Sequence, residues 1–157
     1  MSTLNSAAAE ALREVEATSG VEKPIHAVTD VTGFSLLGHA REMALGNPGG
    51  GIDPVSFEID HGAFKYLPGA LEAAKEGHLS GGLRNNRAFI GDCVEFAPSV
   101  SQEFQDLLFD PQTSGGLLIA IDPRAADAAL HSLRHCSAAA AQVGTVVQKK
   151  SPLIYVK

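Results

Sequence analysis

The sequence has no tryptophan and only two cysteines, Cys93 and Cys136. Two cysteines make no disulfide framework, which fits a reducing cytoplasm, and they are too few for an all-cysteine zinc site. Neither lies in a pattern that marks a nucleophile. No apolar run approaches the roughly 20 residues of a bilayer span, so no membrane partner is expected. The first residues show no basic-then-apolar leader; residues 2–16 are polar and helical in pattern. Positive charge is the scarcer sign. Twelve Lys and Arg face 18 Asp and Glu, a formal charge of −6, which argues against nucleic acid as a partner. The Gly-x-Ser-x-Gly elbow and the His-Glu-x-x-His arrangement are also missing.

What remains is an ordinary globular composition, 45% hydrophobic over 157 residues, enough for one domain to bury a core without staples. The chain is organised around residues 25–41. Residues 25–29 read as a strand entered from Pro24. From Phe34 onward Leu36, Leu37, Ala40, Met43 and Ala44 recur at three and four residues, one face of a helix. Between them lies Asp30-Val31-Thr32-Gly33. Thr32 is the expected N-cap of the helix, and Gly33 lets another group approach the backbone. Asp30 then projects from a strand end beside the positive end of a helix. There a carboxylate can hold a cation that itself holds phosphate, or can simply cap the turn. By residue preference alone the capping role carries more weight.

The remaining chain is read in order. Thr3 or Asn5 caps a first helix with Leu4, Ala8, Ala11, Leu12 and Val15 on one face, closed by Gly20. Residues 46–51 are a glycine-rich loop, without the Lys-Ser or Lys-Thr pair of a P-loop. Val55, Phe57 and Ile59 alternate with Ser56, Glu58 and Asp60, a half-buried strand. A helix over 70–76 follows Pro68-Gly69. Residues 79–87 hold Arg84, Asn85, Asn86 and Arg87 behind Gly81-Gly82. They are read as a solvated loop, with anion gathering as the alternative. Residues 94–96 form a short strand, and Ser101 caps a helix ending at Phe109. Gln112-Thr113-Ser114-Gly115-Gly116 leads into Leu117-Leu118-Ile119-Ala120-Ile121, a strand buried on both faces. Asp122-Pro123 starts a helix to about His135. Residues 141–147 and 153–156 close the chain as strands joined by a turn at 149–152. The order implies an α/β layered fold, a mixed sheet covered by helices.

Few side chains carry chemistry by pattern. His131 and His135, four apart with Cys136 adjacent, could share a metal, but no glutamate completes the set. His39 caps or packs against its neighbours; His26, His61 and His78 show nothing specific. No residue is assigned as catalytic. Asp30 with Thr32 and Gly33, the 81–87 stretch and the 112–116 turn are all polar or glycine-rich ends of elements, where α/β proteins place ligands. Asp30 alone is too little for Mg²⁺, which takes several oxygen ligands.

Thr29-Asp30-Val31-Thr32-Gly33-Phe34-Ser35-Leu36-Leu37-Gly38-His39 resembles the first signature of the selenophosphate synthetase (selenide, water dikinase) family, which is related to aminoimidazole-ribonucleotide (AIR) synthetase. Asp110-Pro111-Gln112-Thr113-Ser114-Gly115-Gly116-Leu117-Leu118 is similar to its second. Leu67-Pro68-Gly69, Gly81-Gly82 and Asn86 fall in step with it, so the resemblance covers nearly the whole chain. Two sites depart from it: Ser35 stands where the family usually has glycine, and Leu83 where threonine is common.

The resemblance implies that residues 1–157 are a single domain, the C-terminal half of a larger enzyme. The N-terminal ATP-binding domain, which dimerises, is not in this sequence. It implies ATP, selenide and water giving selenophosphate, AMP and phosphate in a cytoplasmic homodimer. It implies that Asp30 is a Mg²⁺ ligand at the ATP phosphates and that Thr32 and Gly33 lie against the nucleotide. The catalytic Cys or selenocysteine belongs to the other half, so neither Cys93 nor Cys136 inherits that role, and this chain alone is expected to be inactive. The competing readings are a stand-alone binding or regulatory module of the same fold and a sibling AIR-synthase-like enzyme. The Asp-Pro-Gln-Thr-Ser-Gly-Gly stretch argues against the sibling.

Overall fold

The computed structural model describes residues 5–47, 53–135 and 139–157. Thr3, Leu4, residues 48–51 of the glycine-rich loop and Cys136 lie outside them, so the expectations placed there have no structural counterpart.

Helix α1 (Ser6–Thr18) buries Ala11, Leu12 and Val15 and is followed by Gly20 at φ +69°. Asn5 precedes it but makes no side-chain cap bond, and its backbone is already helical rather than in the extended conformation that a cap takes. Strand β1 (Ile25–Asp30) is exposed at every second residue and runs one residue beyond the expected strand, so Asp30 is its last member. Helix α2 (Ser35–Leu45) follows. Strand β2 (Val55–Ile59), helix α3 (Ala70–Lys75), helix α4 (Gly81–Ile90), strand β3 (Val94–Phe96) and helix α5 (Gln102–Phe109) come next. Strand β4 (Leu117–Ile121), helix α6 (Ala126–His135) and strands β5 (Gly144–Gln148) and β6 (Ile154–Val156) complete the order. Asp122 caps the turn before α6, accepting from the Arg124 N–H at 2.9 Å, as its position before Pro123 implied.

The layered α/β reading holds, but the strands form two sheets. β1 and β4 pair antiparallel, Val28 opposite Ile119 and Asp30 opposite Leu117. The other sheet runs β3-β6-β2-β5, parallel except for the β2/β5 pair. β5 and β6 are consecutive but unpaired, because β2 lies between them and residues 149–152 cross its end. The interior place of β2 also corrects the half-buried reading. Ser56 is buried between two neighbours, and its hydroxyl accepts the Lys150 N–H at 2.7 Å.

The main core lies between the four-stranded sheet and α2, α4 and α5, with Leu37, Ile90, Leu108, Phe109, Ile154 and Val156 among its members. Helices α1 and α6 cover one face of the β1/β4 pair through Leu12, Val15, Ala129 and Leu133. β4 was expected to be buried on both faces, yet all five of its residues are only half-buried. A two-stranded sheet has no third strand to shield it.

The 79–87 stretch is the largest correction. It holds the helix α4, not a solvated loop. Leu83, Asn86 and Ile90 are buried at helical spacing, and this inward face outweighs the local preference of Gly81-Gly82 and the two asparagines for irregular chain.

Candidate functional site

The two motif stretches are 70 and more residues apart in sequence, and the fold zips them together. The Val31 N–H donates to the Gly116 carbonyl at 2.9 Å, and the Gly115 N–H returns a bond to the Val31 carbonyl at 2.9 Å. The Gln112 N–H donates to the Thr32 carbonyl at 3.0 Å. These bonds continue the β1/β4 ladder past the strand ends, so the turn after β1 and the turn before β4 form one surface. Gly115 is needed for the fit: a Cβ there would lie 3.0 Å from Val31 Cβ, Cγ1 and O.

Asp30 stands at the exposed end of β1, and no described residue hydrogen-bonds or pairs with its carboxylate. The capping role considered for it is thus not the one it plays among the described residues. Thr32 is not the N-cap of α2 either. The helix begins at Ser35 behind Phe34, and the Ser35 N–H donates to the Thr32 main-chain carbonyl at 3.0 Å. The Thr32 hydroxyl is drawn away to the His39 ring, 3.1 Å from Nε2. Ser35 does the local capping instead: its Oγ accepts the Gly38 N–H at 3.4 Å. Gly33 is exposed, and a Cβ on it would meet nothing within 4 Å, so the open space that its residue type suggested is there. The N–H groups of Thr32, Gly33 and Phe34 donate to no described residue. An exposed carboxylate and unengaged amides thus share one turn, which suits a cation and an anion held together.

His39 is buried beneath this turn. Its Nδ1 lies 3.4 Å from Glu42 Oε2 without hydrogen-bond alignment, and its ring meets Phe34 edge-on at 5.8 Å. Phe34, half exposed, stacks on Phe89 of α4 at 6.1 Å, and the Arg41 guanidinium sits 4.9 Å from the Phe89 centroid.

The arginines of α4 do not gather an anion together. Arg87 donates to Asp106 at 2.6 Å and lies 4.6 Å from the Phe109 centroid, so it ties α4 to α5. Asn86, read with the arginines as part of a solvated or anion-gathering loop, turns inward instead. Its side-chain amide donates to the Gly33 carbonyl at 3.0 Å and to the Phe109 carbonyl at 3.1 Å. The 83/86/90 spacing, read as a helix face, would have pointed inward to it. Asp110 is also engaged, accepting from the Ser80 hydroxyl at 2.7 Å and from Gln112 at 3.2 Å.

Among the described residues no three His, Cys, Asp or Glu side chains are grouped as a metal site. His131 and His135 are close, with ring centroids 4.1 Å apart, but His135 Nδ1 lies 3.0 Å from the His131 carbonyl and no carboxylate joins them. Cys93 receives the Arg41 Nε–H at 3.4 Å. A trough of about 480 Å³ runs between α1 and β1 and includes none of Asp30, Thr32 and Gly33. No described helix is long and apolar enough to cross a membrane.

Residues 3–157 match the family model described as "AIR synthase related protein, C-terminal domain". The chain is 41% identical over 156 residues to a protein of Agathobacter rectalis named "Selenide, water dikinase". That match covers 99% of this chain and 41% of the relative. Proteins of the same name from Pelobacter propionicus and Clostridium botulinum are 44% identical over 134 residues and 38% over 157. These matches cover 85% and 100% of this chain but 37% and 41% of the relatives. The chain therefore spans about two fifths of the length of the curated relatives it matches.

Proposed function

Since the chain belongs to the AIR synthase related protein family, as its C-terminal domain, we propose that it is the C-terminal domain of a selenophosphate synthetase. The complete enzyme converts ATP, selenide and water to selenophosphate, AMP and phosphate, and acts as a cytoplasmic homodimer. The rest of it, including the ATP-binding domain, lies outside this sequence. Residues 1–157 form one domain of that enzyme and hold none of its catalytic nucleophiles.

The observation that carries this reading is the carboxylate of Asp30, which has no partner among the described residues, beside the amides of residues 32–34, which donate to no described residue. A carboxylate oxygen is the right kind of donor for Mg²⁺, so the donor chemistry fits. One carboxylate is not a complete site, and no group of three ligand-type side chains lies among the described residues. Asp30 is then one ligand of a site that the remainder of the enzyme completes. A bound Mg²⁺ would neutralise charge on the ATP phosphates. The role of this chain is to fix Asp30 at a strand end and to present the Thr32 and Gly33 backbone to the nucleotide, with Gly33 keeping the approach clear.

The test is phosphorus NMR of the chain with ATP, Mg²⁺ and selenide. It is run alone and with a separately produced piece of the Agathobacter rectalis relative lying outside the matched region. Selenophosphate is expected only in the mixture, and Asp30→Asn abolishes it. A mixture that assembles yet forms no product would overturn the reading in favour of a non-catalytic module.

A further inference from the structure

We propose that Asn86 is the positioning residue of the Asp30 turn, an assignment that rests on the function proposed above. Asn86 is 7% exposed and sits on the inward face of α4. Its single amide nitrogen carries two hydrogens and serves two carbonyls on two other elements, Gly33 at 3.0 Å and Phe109 at 3.1 Å. The Phe109 carbonyl belongs to the last residue of α5, where helix carbonyls lack partners within the helix. The Gly33 carbonyl belongs to the turn that carries the unengaged amides.

Asn86 is itself held in place. A Cβ on Gly82, one turn earlier in α4, would lie 3.0 Å from Pro111 Cγ, so α4 rests directly on the second motif. The Ser80 hydroxyl adds a 2.7 Å bond to Asp110 just before the helix. The turn after β1 is therefore gripped twice. Main-chain bonds from residues 112–116 hold Val31 and Thr32, and Asn86 holds Gly33. Gly33 is the residue in that turn with the widest backbone freedom and with no neighbour around a Cβ position. Releasing its carbonyl frees the Gly33–Phe34 peptide plane to rotate, and the Phe34 N–H turns with it. Asparagine meets the demand because it offers two donors on a short stem. Aspartate offers none when ionised, serine offers one, and glutamine is a methylene too long.

The test compares wild type with Asn86→Asp and Asn86→Ala in two measurements. The first is amide NMR of the chain itself. Slow exchange of the Asn86 side-chain protons is expected in wild type, with displaced resonances for residues 32–34 in both variants and an unchanged main core. The second is selenophosphate formation in the mixture described above, as a function of Mg²⁺ and ATP. The variants are expected to turn over roughly tenfold or more slowly at saturation and to need more Mg²⁺ for half-maximal rate. A merely structural role lowers the melting temperature but leaves Mg²⁺ half-saturation unmoved. Folded variants with wild-type turnover and wild-type Mg²⁺ dependence overturn the proposal. If the wild-type mixture forms no selenophosphate, the functional reading fails and the NMR decides: unmoved 32–34 resonances in Asn86→Ala overturn the positioning role. If neither variant folds, fast exchange of the Asn86 side-chain protons in wild type overturns it.

Discussion

Gly115 and Val31 approach so closely that a side chain on the glycine would crowd Val31. Its N–H donates to the Val31 carbonyl at 2.9 Å, and a Cβ would sit 3.0 Å from three Val31 atoms. This contact is the seam between the two motif stretches. Its backbone atoms sit next to Asp30 on one side and lead into β4 on the other.

Gly115→Ala is expected to open that seam. The added methyl must displace Val31, which is itself buried, and overpacking of this kind costs about 1–3 kcal/mol. Urea denaturation reads the loss, and amide exchange at residues 31 and 115 should accelerate before that of the four-stranded sheet. An unchanged urea midpoint would show that Val31 yields without cost.

Ser35 occupies the left-handed backbone region at φ +69°, fully buried, where an L side chain costs roughly 1–2 kcal/mol. Its hydroxyl recovers part of this by accepting the Gly38 N–H at a long 3.4 Å. Ser35→Gly removes the strain and the hydrogen bond together, so its stability should stay within about 1 kcal/mol of wild type. Ser35→Ala keeps the strain and loses the bond, so it should be the less stable of the two. Thermal melts of both variants check the order; an alanine variant as stable as the glycine variant would exclude backbone strain as the governing effect.

Asp122 gives the chain an acid-sensitive contact. The Arg124 side chain donates twice to its carboxylate, at 2.9 and 2.8 Å, and holds its pKa down at about 2. A carboxyl depressed in the folded state stabilises above its unfolded value of about 3.9, and that contribution fades as pH falls toward 2. Asp122→Asn keeps a capping oxygen but removes the charge. It should be less stable than wild type at neutral pH, with the difference closing near pH 2. Melts across pH 2–7 measure this, and a gap that does not narrow with acid would rule out the charge as its source.

The motifs needed no coordinates. Residues 29–39 and 110–118 carry the family resemblance, and a strand, a turn and a helix were legible there from β-branched residues, glycine and three-and-four spacing. The Asp122-Pro123 helix start was equally local, because a cap and a first-turn proline act within a few residues. Tertiary structure decided what those signals could not reach. Thr32 lost its expected capping role because a buried His39, seven residues on, competes for its hydroxyl. The 79–87 stretch became a helix because Leu83, Asn86 and Ile90 find a core and two waiting carbonyls, a gain that outweighs the cost of glycine and asparagine in a helix. β2 came to lie between β5 and β6, although nothing in their alternation states a partner. Local sequence sets backbone preference over a few residues. Burial, strand order and the joining of Val31 to Gly115 depend on which distant surfaces meet, and only the folded chain brings those surfaces together.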